Sequence, residues 1–139
     1  MTDELRYHLD ELRADLATAQ DALEVANVSV FPDRQLVRAW LDVQSILEHD
    51  LDTHIPAIVE LLGYSPFSEA PADRIARHDT DLVAAATRVE PLICKAQSAL
   101  AASVPSRDEI ETSKKALRSA LAIASAAHAS SVKAAALGS

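Results

Sequence analysis

The first thirty residues carry an apolar seam that admits one kind of secondary structure. Leu5, Leu9, Leu12, Leu16, Ala19, Leu23 and Ala26 follow one another at alternating spacings of four and three. A strand needs a period of two, whereas this spacing puts every apolar side chain on one stripe of a helix. Such a stripe is covered by other helices crossing at about 20°, so the rest of the chain must supply them. Its composition agrees. Only two of 139 residues are glycine, aromatics are 4%, and Ala and Leu dominate, which favours helices over a sandwich or barrel.

Punctuation divides the remainder. Val28-Ser29-Val30-Phe31-Pro32-Asp33, the segment from Gly63 through Pro66 to Pro71, and Val104-Pro105-Ser106 read as turns, because glycine ends helices and proline is tolerated at their starts. Ser106 and Glu109 form an S-x-x-E capping box. The expectation is all-α: a single domain over 1–139, folded as an antiparallel up-down-up-down four-helix bundle with helices at about 2–28, 33–63, 71–103 and 106–137. The second seam runs Leu36, Trp40, Val43, Leu47, then takes one of two registers: Asp50, His54 and Ala57, or Leu51, Ile55, Ile58 and Leu62. The third runs through Ile75, Leu82, Ala86, Val89, Ile93, Ala96 and Leu100. The fourth runs through Ile110, Leu117, Leu121, Ala124, His128 and Ala135. Pro56 and Pro91 lie inside these patterns. Each lacks an N–H and clashes with the carbonyl four residues earlier, so kinks or breaks are expected near Asp52-Thr53 and Thr87.

Charge narrows the function classes. The net charge is −8, and thirteen Asp and Glu stand against four Arg in residues 1–60. With no basic stripe, direct nucleic-acid binding is not expected. The N-terminus is charged at once, and no apolar run of about 18 residues is apparent, so neither a signal peptide nor a membrane span is expected. The default is a cytoplasmic protein or part of an intracellular assembly. Cys94, alone in the chain, follows Leu92-Ile93 and reads as a buried, inert thiol.

Catalytic signatures are absent: no phosphate-binding loop, no G-x-S-x-G, no H-E-x-x-H. No histidine has a Glu three residues before it, as di-iron carboxylate bundles require, and the H-x-x-x-E and H-x-x-x-H spacings do not occur. The histidines gain interest from their heights. Across an antiparallel hairpin, residues at one height have numbers that add to a constant fixed by the turn. The three turns place His8, His54, His78 and His128, one per helix, within about one helical turn of a common layer. His49 falls further away. Imidazoles converging in a bundle suit Zn²⁺, or iron or copper with carboxylate help, and an opposed pair suits haem.

From Ser119 to Val132 the chain has no charged side chain. An exposed helix ordinarily carries charge outward, so a face of Ser119, Ala122, Ser125, Ala126 and Ala129 reads as covered by another helix. The sequence therefore points first to a non-enzymatic assembly or adaptor protein without a cofactor, acting through helix–helix contacts with a protein partner or as a homo-oligomer. The alternative is a metal- or haem-binding bundle using His8, His54, His78 and His128. A third reading, an enzyme with an acidic pocket near Glu48, Asp50 and Asp52, has the least behind it, since charge clusters on helices are usually solvated.

Overall fold

A computed structural model describes residues 2–28, 34–65 and 82–137. All regular structure among the described residues is helical. Helix α1 spans Asp3–Val28 and α2 spans Arg34–His49. A π-helical turn at Asp50–His54 then leads without interruption into α3, Ile55–Leu62. Helices α4, Leu82–Ala99, and α5, Arg107–Leu137, complete the chain. Helix α1 packs against α2 and α4, and α5 packs against the same two helices.

The elements form for local reasons. Thr2 Oγ1 accepts a hydrogen bond from the Leu5 N–H at 3.2 Å, and Asp3 and Glu4 occupy the first turn of α1, which satisfies an orphan donor and complements the helix dipole. Gly63, at φ 70°, ends α3. Its N–H donates to the Glu60 carbonyl while that of Tyr64 donates to Val59, both at 3.1 Å, the Schellman arrangement. Ser106 and Glu109 form the expected capping box, with reciprocal bonds of 2.9 and 3.2 Å. Arg13 reaches from α1 to the carbonyls of Leu100 and Ala102, at 3.0 and 2.7 Å, capping the end of α4 with a cation. Tyr64 donates to the Pro105 carbonyl at 2.7 Å.

Every residue of the α1 seam is buried, as are Trp40, Val43 and Leu47 of α2 and Val89, Ile93 and Ala96 of α4. Helix α4 continues through Pro91. Three expectations need correction. Cys94 is exposed, because the buried stripe of α4 passes through Ile93, one residue away; Gln20 Nε2 lies 3.1 Å from its sulfur. On α5 the expected Ile110, Leu117 and Ala124 are buried, but Leu121, His128 and Ala135 are half-buried, and Ser113, Ala116, Ala120, Ile123, Ala127 and Ser131 complete the buried set. Finally, α5 is long and apolar enough by length and composition to cross a membrane, contrary to expectation. Core helices that are mostly buried pass the same test, whereas 28% of the apolar window of α5 is buried. Ile75, Phe31, Phe67 and the expected start of the third helix at 71 lie outside the described residues.

Leu16 is fully buried in α1. Leu16→Ala is expected to cost about 2–5 kcal/mol, the range for truncating a packed leucine, measured by urea denaturation with an unchanged m-value.

Candidate metal centre

The π turn determines which side chains enter the site. Pro56 has no N–H to give the Asp52 carbonyl, and its ring would strike that carbonyl in a regular α-helix. The chain responds with a wider turn, in which the Ile55 N–H donates to the Asp50 carbonyl five residues back. Both registers of the second seam are thereby used. Asp50 and His54 are buried from one, Ile55 and Ile58 from the other. The turn also recruits His49. Residues five apart on an α-helix point about 140° apart, whereas the wider turn returns them toward one side, and the His49 and His54 rings meet edge-on at 5.0 Å between centroids.

Helix α1 supplies the facing groups. His8, Glu11 and Asp15 are spaced at i, i+3 and i+7, along one side of the helix. His8 Nδ1 lies 2.9 Å from His54 Nδ1. On the other side of the His54 ring, Nε2 lies 3.7 Å from Asp15 Oδ2. Tyr7 places its ring edge-on to both His8 and His54, at 5.2 and 6.2 Å. Asp15, His49 and His54 each offer a ligand atom, and these atoms lie within 4.8 Å of one another. Donor atoms around a tetrahedral ion bound at 2.0–2.1 Å stand about 3.3–3.4 Å apart, so small side-chain adjustments would close the set.

Asp50 is the unusual member. It is fully buried, and the polar group facing its carboxyl is that of Asp15, to which a protonated Asp50 can donate. Burial pushes its pKa up to about 9; contact with the Asp15 carboxyl adds to the shift, as do the charges of Asp15 and Glu11. His54 moves down from the ordinary histidine value, mainly by burial and then by the neighbouring His49 and His8, against the opposing pull of Asp15 and Glu11. Both groups are thus held neutral near pH 7, and the His54–Asp15 approach is not an ion pair there.

Of the four histidines expected in one layer, the structure brings His8 and His54 into contact. His128 sits half-buried on α5, beside the buried stripe, and is not part of the Asp15–His49–His54 group. His78 lies outside the described residues. Two members were missed from sequence. Asp15 was legible as the residue one heptad after His8. His49 was not, because its placement depends on a π turn whose only sequence signal is Pro56. Compared with protein-family models, with curated proteins and with solved structures, the chain matches none significantly, so the site is read from its own geometry.

The Asp50 shift has a definite sign. Between the unfolded value near 3.8 and the folded value of about 9, the folded chain keeps a proton that the unfolded chain has lost. Stability therefore falls as pH rises through that window. Asp50→Asn, which removes the titration and keeps the shape, is expected to raise stability at pH 8 by a few kcal/mol (order of magnitude only) and to flatten the pH dependence of thermal unfolding above pH 5.

Proposed function

We propose that the protein is a metal-binding helical bundle that takes one divalent transition-metal ion through Asp15, His49 and His54. The single observation that carries this reading is the convergence of one ligand atom each from Asp15, His49 and His54 to within 4.8 Å of one another, beside the fully buried carboxyl of Asp50. A cation at this place would have the Asp15 carboxylate as a ligand and would favour loss of the Asp50 proton, giving it a second neighbouring anion. The donors are imidazole and carboxylate, without a thiolate, which suits Zn²⁺ or Fe²⁺. A haem needs axial imidazoles on opposite faces of its ring, and His8 and His54 touch directly, so the ligand is a bare ion. In this reading the helices form an antiparallel up-down-up-down bundle that bends at the π turn and near Pro91, with the ion held between α1 and the second helical rod.

A second reading is assembly through α5. An open apolar groove of about 620 Å³ is lined by Val37 and Leu41 of α2 and by Val132 and Ala135 of α5, with Arg34 and Arg38 at its edge. Leu41, Val132 and Leu137 are exposed. Of the five small residues expected to face outward, Ser119, Ala122, Ser125 and Ala126 are half-buried by the chain itself and Ala129 is exposed. The contact would therefore centre on Ala129 and Val132, near the end of the helix, with a second copy of the chain as the partner.

Calorimetric titration with Zn²⁺, and the visible absorption of bound Co²⁺, test the first reading. One ion per chain is expected, with Asp15→Ala, His49→Ala and His54→Ala each weakening binding at least about tenfold and His128→Ala leaving it unchanged. Wild-type protein that takes up no ion at millimolar metal would end it. Light scattering tests the second. Val132→Glu should leave folding within about 0.5 kcal/mol, as for an ordinary surface change, and convert an oligomer to monomer. A wild-type chain that is monomeric at high concentration would refute assembly.

A further inference from the structure

We propose that His8 is a positioning residue for the metal centre, holding His54 in the one tautomer that can ligate an ion. The proposal rests on the metal reading above and adds to it a role for a residue that is not a ligand. The Nδ1 atoms of His8 and His54 are 2.9 Å apart. That is a hydrogen-bond distance, and it is shorter than the roughly 3.3–3.4 Å between two donors on one tetrahedral ion. A hydrogen bond between two imidazole nitrogens needs one proton, so one ring donates and the other accepts. The tautomers of the two rings are consequently tied together.

Two arrangements satisfy the contact. In the first, His8 Nδ1–H donates, and His54 keeps its proton on Nε2, which faces Asp15 Oδ2 at 3.7 Å. In the second, His54 Nδ1–H donates to a bare His8 Nδ1, and His8 carries its own proton on Nε2. Only the second leaves a lone pair on His54 Nε2, the nitrogen on the side of the Asp15 carboxylate. Moving between them shifts one proton along the hydrogen bond from His8 to His54. His54 Nε2 loses a proton to water and His8 Nε2 gains one from water, so both rings stay neutral. Metal-bound histidines ordinarily donate their other N–H to a fixed acceptor, which orients the ring and raises its basicity. His8 is the residue placed to accept here, and the Tyr7 ring, edge-on to both imidazoles, packs against the pair. The α1 seam holds His8 at this height: Leu5, Leu9 and Leu12 on either side of it in sequence are buried.

The experiment uses the full chain with ¹⁵N-labelled histidine, loaded with ¹¹³Cd²⁺, together with Zn²⁺ titration of two variants. Long-range ¹H–¹⁵N spectra should show His54 protonated at Nδ1, cadmium coupling at His54 Nε2 and at a ring nitrogen of His49, and no coupling at His8. His8→Phe, which keeps a ring but no acceptor, should weaken Zn²⁺ binding about 10–100-fold. His8→Asn, whose amide oxygen takes the place of Nδ1, should recover most of that loss. Far-UV circular dichroism and the melting temperature confirm that both variants fold. Cadmium coupling at His8 Nδ1, or equal losses in the Phe and Asn variants, would overturn the role of His8 while leaving the metal site standing. Wild-type protein that binds neither ion would overturn the metal reading and this inference with it.

Discussion

One missing hydrogen bond organises the centre of this protein. Proline at position 56 cannot donate to the Asp52 carbonyl, and the helix absorbs the defect by adding a residue to the turn at Asp50–His54. Without that extra residue the second helix would follow one register, and the other set of side chains would point outward. With it, Asp50 and His54 are buried one turn apart and Ile55 and Ile58 still reach the core. His49 is carried round to the same side. A π turn is costly in isolation and tends to appear where it serves a site. Here it changes an apolar seam into a polar cluster for the length of one turn and then restores it.

That cluster works against stability. A carboxyl fully out of water beside the carboxyl of Asp15, and an imidazole with burial acting against its charge, are both held neutral. Neutral groups avoid the desolvation penalty of buried ions, yet the Asp50 oxygens still forgo the hydrogen bonds that water would offer. The surrounding helices over-determine the arrangement. The leucines of α1 and the Trp40–Val43–Leu47 stripe of α2 are buried beside it, and Arg13 and Tyr64 tie α1 and α3 to the connection between α4 and α5. Local inconsistency inside a well-packed frame is the pattern of functional sites.

How much of this was legible in the sequence depended on how local its cause was. The α1 seam was legible in full, because seven apolar residues at 4-3 spacing have one solution. So was the Ser106–Glu109 box, which is a contact between residues three apart. The buried stripe of α5 was misread in part. Leu121 and His128 look more like core than Ser113 and Ser131, yet the serines are the buried ones. Each of those serines satisfies its hydroxyl by donating to a carbonyl three residues earlier, at 2.7 Å, so it can be buried without an external partner. The His8–His54 meeting was anticipated from heights alone. The height argument assumed a uniform rise and an α-helical phase, which excluded His49; the π turn at Asp50–His54 breaks that assumption.

The same dependence separates the two ends of the molecule. At the π turn, ionisable groups are buried together: Asp50 and His54 face Asp15 of α1. At the α2–α5 groove, apolar atoms are exposed, and what is missing is apolar cover. A single ligand cannot serve both, since an ion leaves Leu41 and Val132 in water and a helix laid in the groove does not reach the buried Asp50. The buried cluster is the more telling one. Single exposed apolar residues are ordinary on protein surfaces, whereas a fully buried carboxyl held protonated beside a second carboxyl is uncommon. The histidines and Asp15 around Asp50 give the cluster its chemistry, and for this protein function is read from the bundle interior before its surface.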